Sequence, residues 1–209
     1  MLDIRKKTEA EYLEAFERLP KYRQEKATKY RRRCDRYGCV FSYDLLLDML
    51  SSVTELSRDA LIIETDRRGK PRLANSPIMF SISHTDGFVA CAVGEEPVGI
   101  DIETPRDISG KVLEKVLSKE ERSYVLGKGE IGDKQAEKGS EISAKFLRIW
   151  TSKEAYLKCT GEGLSHLEKA RVTVDGDSLG LWDSSYSLIS ESTDEYFLAI
   201  VKADCIWYF

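Results

Sequence analysis

Long apolar runs are missing from this 209-residue sequence. No stretch approaches the roughly 20 apolar residues that a membrane-spanning helix needs. The opening stretch, MLDIRKKTEAEYLEAF, holds no apolar segment of signal-peptide length, which leads us to expect a cytoplasmic protein. Cysteines are few and scattered: Cys34, Cys39, Cys91, Cys159 and Cys205, an odd number with no C-x-x-C pair. That excludes a disulfide framework and a zinc site of the usual spacing, and free thiols fit a reducing compartment. No short-period repeat is present, which argues against a solenoid. An excess of positive charge is missing too. Lysine and arginine number 32 against 36 acidic residues, and the net charge of -4 argues against a dedicated nucleic-acid binder.

What remains is an ordinary, rather polar globular composition, 42% hydrophobic and 33% charged. The length suits one large domain or two small ones and supports a hydrophobic core without staples. The first fifty or so residues read as helical. TEAEYLEAFERLP spaces Leu13, Phe16 and Leu19 at helical intervals and stops at Pro20. The very basic KYRQEKATKYRRRCDRYG is expected to end at Gly38, and FSYDLLLDMLSSV to start a new helix capped by Ser42. Short β-rich runs follow: ALIIET, IMFSIS, FVACAV and VGIDIE, separated by turn material.

The order then repeats. ISGKVLEKVLSKEERSYVL is helical, with Ser118 and Glu121 in capping-box spacing. GKGEIGDKQAEKGS, residues 127–140, reads as a flexible loop. EISAKFLRIWTSKEAYLKCTG reads as a long helix closed by Gly161, and ARVTVD, LGLWD, YSLIS and EYFLAIVKA as strands. The expected fold is therefore α+β: two similar halves, 1–103 and 104–209, each with a small antiparallel sheet and a long helix.

Three stretches carry chemistry. In VGIDIE, strand alternation puts Val98, Ile100 and Ile102 on one face and Gly99, Asp101 and Glu103 on the other. Two carboxylates at that spacing repel unless something positive sits over them, and a divalent cation is one candidate. The plain alternative is a half-exposed strand with an acidic outer face. In WTSKEAYLKCTGEGL, Trp150, Glu154 and Lys158 line one helical stripe with Lys153 beside it. An ordinary Glu154–Lys158 helix pair, worth about 0.2–0.5 kcal/mol, would explain two of these residues but not the tryptophan. In FSISHTDG, His84 (one of only two histidines, with His166) ends a strand beside Ser83, where binding groups collect. A structural or exposed histidine is the alternative. Lys70, in RRGKPRL, sits in a turn that suits a phosphate or plain solvent.

Taken together, GKPRL, FSISHT, VGIDIE and WTSKEAYLKCTGEGL, in this order, resemble the 4'-phosphopantetheinyl transferase superfamily, most closely its larger members built as a pseudo-dimer within one chain. The resemblance implies transfer of the 4'-phosphopantetheine arm from coenzyme A to a serine of an apo acyl- or peptidyl-carrier protein, releasing 3',5'-ADP. It implies Mg2+ held by Asp101, Glu103 and Glu154; Glu154 is also a candidate general base for the serine hydroxyl, directly or through a metal-bound water, and whether it is ligand, base or both stays open. Lys158 would stabilise phosphate charge. Ser83 and His84 would bond the coenzyme A phosphates, Arg23 and Lys26 the 3'-phosphate, and Lys70 would lie near adenine and phosphates. Glu121 matches a supporting acidic position. Ser81 replaces the asparagine of many relatives, and Thr85 replaces a serine. The 127–140 loop looks particular to this chain, which leaves the carrier open. A monomer acting without nucleic acid or membrane is expected.

Other readings remain at this level. The basic segment Arg18–Arg36 could bind a nucleic-acid backbone, although it lacks a stacking or base-reading motif. The same carboxylates would suit a metal-dependent phosphohydrolase acting on a coenzyme A-like diphosphate. DGDSLGL resembles a carrier attachment site at Ser178, although its flanks read as strands around a hairpin turn at Asp175-Gly176-Asp177.

Overall fold

The computed structural model describes residues 1–67, 69–127 and 135–204. The chain divides into two compact units, Met1–Glu95 and Glu96–Phe209. Each combines a long helix with a three-stranded antiparallel sheet, the α+β organisation expected. Four cysteines, Cys34, Cys39, Cys91 and Cys159, are free thiols; Cys205 lies outside the described residues.

In the first unit, β1 (Leu2–Asp3) leads into α1 (Glu9–Glu17), α2 (Lys21–Thr28) and α3 (Arg33–Thr54). Thr8 and Glu11 close a capping box that starts α1. A hairpin of β2 (Ile63–Thr65) and β3 (Pro71–Leu73) follows, then β4 (Met79–Thr85) and β5 (Phe88–Gly94). The sheet runs β1-β5-β4, and α3 packs on it through Val40, Leu47 and Leu50 among others, against Phe80 and Val89. Two expectations fail here. Gly38 does not end a helix, and Ser42 does not cap one: both lie inside α3, which starts at Arg33, and Ser42 is buried with its hydroxyl on the Cys39 carbonyl. Tertiary packing explains the glycine. A Cβ at Gly38 would stand 2.7 Å from His84 Nδ1, so the ring of His84 takes the space that a side chain would fill. That fit outweighs the ~1 kcal/mol that a helical glycine costs.

In the second unit, β6 (Val98–Glu103) is followed by α4 (Gly110–Val116), α5 (Lys119–Leu126) and α6 (Glu141–Thr160). A hairpin of β7 (Val172–Asp175) and β8 (Ser178–Leu181) leads to β9 (Tyr186–Ser192) and β10 (Phe197–Ala203). The sheet runs β6-β10-β9, with Asp101 opposite Ala199 and Glu103 opposite Phe197. Strand β6, assigned to the first half by the 1–103 boundary, thus belongs with the second unit, because its partners are β10 and α6. The Ser118–Glu121 capping box is present and splits the expected single helix into α4 and α5. Gly161, at φ 73°, closes α6 in the left-handed region. Asp175 pairs with Ser178 across a two-residue turn with Gly176 at φ 59°, so Ser178 opens a strand rather than a carrier-type helix. Of the 127–140 segment, residues 128–134 lie outside the described residues. Beyond them, Ala136 bridges Ile108, and the Lys138 N–H donates to Asp107 Oδ1 at 2.7 Å.

Candidate active site

Strand β6 is buried on both faces, which removes the half-exposed acidic strand as a reading. The face carrying Gly99, Asp101 and Glu103 meets α6. A Cβ at Gly99 would lie 2.0 Å from the Ala155 carbonyl oxygen and 2.5 Å from Cys159 N, so strand and helix touch backbone to backbone there. This close approach lets the side chains on either side of Gly99 reach α6. Asp101 is 5% exposed, and its Oδ1 accepts from Lys158 Nζ at 2.7 Å. Lys158 Nζ also donates to the Ile100 carbonyl at 3.2 Å. Glu103 Oε1 accepts from the Trp150 indole N–H at 2.9 Å and from Arg106 Nη2 at 3.4 Å. The tryptophan on the stripe is therefore a donor to Glu103.

Glu154 lies on the same stripe, between Trp150 and Lys158. Burial, and then repulsion by Asp101, push its carboxyl up to about 7; Glu103 adds to the rise and Lys158 opposes it through space. The unit thus gathers three carboxylates and Lys158 around one strand–helix contact. Among the described residues, no three His, Cys, Asp or Glu side chains close into a metal cage. The donor chemistry nevertheless fits a hard cation. The groups are all carboxylate oxygens, the donor type a hard cation takes, and Glu154 is held above its ordinary range first by burial and then by the negative charge of Asp101.

Glu121 has a different setting. It is fully buried and pairs with Lys153 Nζ at 2.9 Å; its oxygens accept from Ser118 N at 2.7 Å and Val172 N at 2.9 Å. It ties α5, α6 and β7 together.

The remaining candidates lie in the first unit. Arg23 folds onto α3: its guanidinium stacks 4.2 Å over Tyr43, and Nη2 donates to the Cys39 carbonyl at 3.3 Å. With His84 against Gly38, these two residues meet consecutive positions of α3. Ser83 is buried, while His84, its neighbour in the strand, is largely exposed, and alternation sends the two side chains to opposite faces. One ligand atom therefore does not meet both. Lys26 is exposed on α2. Lys70 sits in the β2–β3 turn, its N–H donating to Asp66 Oδ1 at 2.9 Å. Arg18, part of the basic run, serves the fold by binding buried Asp44 at 2.9 Å, as Arg58 does at 2.7 Å. The residues not anticipated were Arg106 and Gly99. Arg106 stands at i+3 from Glu103, and Gly99 alternates with the two carboxylates.

The candidate site is an acidic strand with a lysine and an elevated glutamate on the helix packed over it. Comparison with known families makes this specific. A model described as 4'-phosphopantetheinyl transferase, N-terminal, matches residues 6–96, and one for the 4'-phosphopantetheinyl transferase superfamily matches residues 97–200. The chain belongs to the 4'-phosphopantetheinyl transferase superfamily. The 4'-phosphopantetheinyl transferase gsp of Aneurinibacillus migulanus is 30% identical over 144 residues, 69% of this chain and 56% of its own length. The 4'-phosphopantetheinyl transferase Sfp of Bacillus subtilis is 31% identical over 144 residues, 68% of this chain and 60% of its own length. HetI of Nostoc, also a 4'-phosphopantetheinyl transferase, is 36% identical over 116 residues, 52% of this chain and 45% of its own length. The chain spans only about half to three-fifths of the length of these relatives. No helix among the described residues is long and apolar enough to cross a membrane.

Proposed function

We propose that this chain transfers 4'-phosphopantetheine from coenzyme A to a serine of an apo acyl- or peptidyl-carrier protein. The serine oxygen forms a bond to the β-phosphorus, the diphosphate P–O bond breaks, and 3',5'-ADP leaves with the electron pair. Family membership and the relatives' names support the reaction, and the setting of Glu154 carries the assignment of roles. A carboxyl held near 7 can accept the serine proton at neutral pH, because a general base works best when its pKa lies near the working pH. Lys158, already beside Asp101, is the cation available to a phosphate oxygen.

Asp101 and Glu103, joined by Glu154 in the alternative where it is a ligand rather than the base, are the residues that would hold Mg2+. When bound, the ion would neutralise diphosphate charge and favour departure of the nucleotide. Charge neutralisation and positioning are the main demands of such a transfer. In the first unit, Arg23, Lys26, Lys70, Ser83 and His84 are assigned to coenzyme A, on the strength of the family resemblance. We assign the protein to the cytoplasm, acting as a monomer on a soluble carrier.

The test is direct. Incubate the chain with an apo-carrier, coenzyme A and Mg2+, and weigh the carrier. A gain of one phosphopantetheine, lost in Asp101→Ala and Glu154→Ala, supports the reading. Coenzyme A cleavage without any acceptor would point to a phosphohydrolase instead. Unmodified carriers of every class tested would overturn the proposal.

A further inference from the structure

The proposed chemistry leaves one pair of buried charges unused. Glu121 is 0% exposed and Lys153 is 2% exposed, and they form an ion pair 2.9 Å long inside the second unit. Removing two charges from water costs several kcal/mol each, and apolar replacements of similar volume often serve stability as well or better. A stability argument alone therefore does not account for the pair.

Its attachments suggest what it does. Glu121 is itself immobilised: its oxygens accept backbone N–H groups from Ser118, the cap of its own helix, and from Val172 at the start of β7. The carboxylate is a fixed point, and Lys153 is the residue of α6 that reaches it. Lys153 directly precedes Glu154. Neighbouring helix positions point about 100° apart, so one side chain faces α5 and β7 while the next faces the acidic strand. The Gly99 contact sets how closely α6 approaches β6, the Lys158–Asp101 and Trp150–Glu103 bonds hold the helix from the strand side, and the Glu121–Lys153 pair restrains its rotation about the helix axis from the opposite flank. Glu154 lies at a radius of about 5–6 Å from that axis, so a turn of ~10° moves its carboxylate by about 1 Å. A misplacement of that size costs up to about 100-fold in rate.

We propose that Glu121 and Lys153 are positioning residues that fix the rotation of α6, and so the placement of Glu154, Trp150 and Lys158 against β6. The role in transfer rests on the activity proposed above.

The test compares the full-length wild type with Glu121→Gln, Lys153→Met and the double variant Glu121→Leu/Lys153→Met. Thermal unfolding, kcat and the KM for coenzyme A are measured for each. The single variants strand one buried charge or polar group and lower Tm. The double variant is expected to keep its Tm within a few degrees while kcat falls about 10- to 100-fold and KM for coenzyme A changes less than twofold. Lys153→Arg, which keeps the charge but alters its shape, guards against a double variant that does not fold, and it should also lower kcat. An activity-independent readout uses a Trp182→Phe/Trp207→Phe background, in which Trp150 emission reports its indole's surroundings. A rotated helix should shift that emission to the red in the double variant. Native kcat together with unchanged emission in a folded double variant, or native kcat in Lys153→Arg, would overturn the positioning role. A wild type that modifies no carrier would overturn the role in transfer through the parent reading, and the emission result separates the two failures.

Discussion

Lys158 Nζ stands 2.7 Å from Asp101 Oδ1, so a lysine on α6 neutralises a carboxylate on β6 fifty-seven positions away in the chain. The helical spacing offered a local Glu154–Lys158 pair as its plain alternative and said nothing of Asp101. The difference matters because the long-range pair fastens helix to strand at the acidic cluster. Asp101 is almost wholly buried and Lys158 is about a third exposed, so the pair falls between a surface bridge and a fully buried one.

The first prediction concerns this pair. Lys158→Met leaves Asp101, Glu103 and Glu154 with one cation fewer. A hydrogen bond to a charged group contributes about 1.5–3 kcal/mol, and we expect a loss in the lower part of that range because water reaches the lysine. A double-mutant cycle with Asp101→Asn, followed by urea unfolding at pH 7.5, should give a coupling of about 1 kcal/mol or more. Additive single effects would show that the contact contributes nothing to stability.

Glu154 gives a prediction with a definite sign. Its folded pKa of about 7 lies above its ordinary value of 4.5, so between these pH values the folded chain binds the proton more tightly than the unfolded chain. Its contribution to stability is therefore most favourable below pH 4.5 and is lost as pH rises through about 7. Discounted for partial solvent contact, the penalty at pH 8 is about 1–2 kcal/mol, or about 2–8 °C in Tm. Glu154→Gln should raise Tm at pH 8 and leave it nearly unchanged at pH 4.5. Adding Mg2+ at pH 8 should stabilise the wild type and have a smaller effect on the variant. An equal effect of the substitution at both pH values would remove the electrostatic account of Glu154.

Much of this site was readable before folding, because its parts are local. Alternation places Asp101 and Glu103 on one strand face, and helical spacing places Trp150, Glu154 and Lys158 on one stripe. What sequence could not supply was which long-range partner each group takes. Lys158 turned to Asp101, Trp150 to Glu103, and Glu121, expected near the site as an acidic helper, to Lys153. The fold shows the same division. Capping at Ser118 and Gly161 is local chemistry and was legible, whereas the capping box at Thr8, equally local, was not read. Gly38 and Ser42 misled because their place inside α3 is set by what packs against them, His84 in one case and the buried helix face in the other.

Gly99 is the position where the smallest change should do the most damage. Adding one methyl there brings a carbon to 2.0 Å from a backbone oxygen and 2.5 Å from a backbone nitrogen, neither of which can rotate away. Overpacking of flexible side chains costs about 1–3 kcal/mol, and a clash with a helix backbone belongs at or above the top of that range. Gly99→Ala should lower the urea midpoint by more than any single substitution in the carboxylate cluster. A near-native midpoint would mean that α6 and β6 are not in backbone contact.

The last prediction separates packing from hydrogen bonding at Trp150. The indole ring stacks on Phe146, with centroids 6.2 Å apart and planes 12° from parallel, while its N–H holds Glu103 Oε1. Trp150→Phe preserves an aromatic ring on Phe146 and deletes the donor. Stability should fall by about 1 kcal/mol, the ordinary net contribution of one hydrogen bond. The larger effect should appear in cation use, since partners that orient a ligating carboxylate change metal affinity by about 10- to 100-fold when removed. Arg106 also contacts the same oxygen and retains part of the restraint, so we expect the lower figure. The half-saturating Mg2+ concentration for carrier modification should rise about tenfold, with KM for coenzyme A changed less than twofold. Magnesium titrations that superimpose for wild type and Trp150→Phe would show that the indole N–H does not orient Glu103 for a cation, and would confine Trp150 to packing on Phe146.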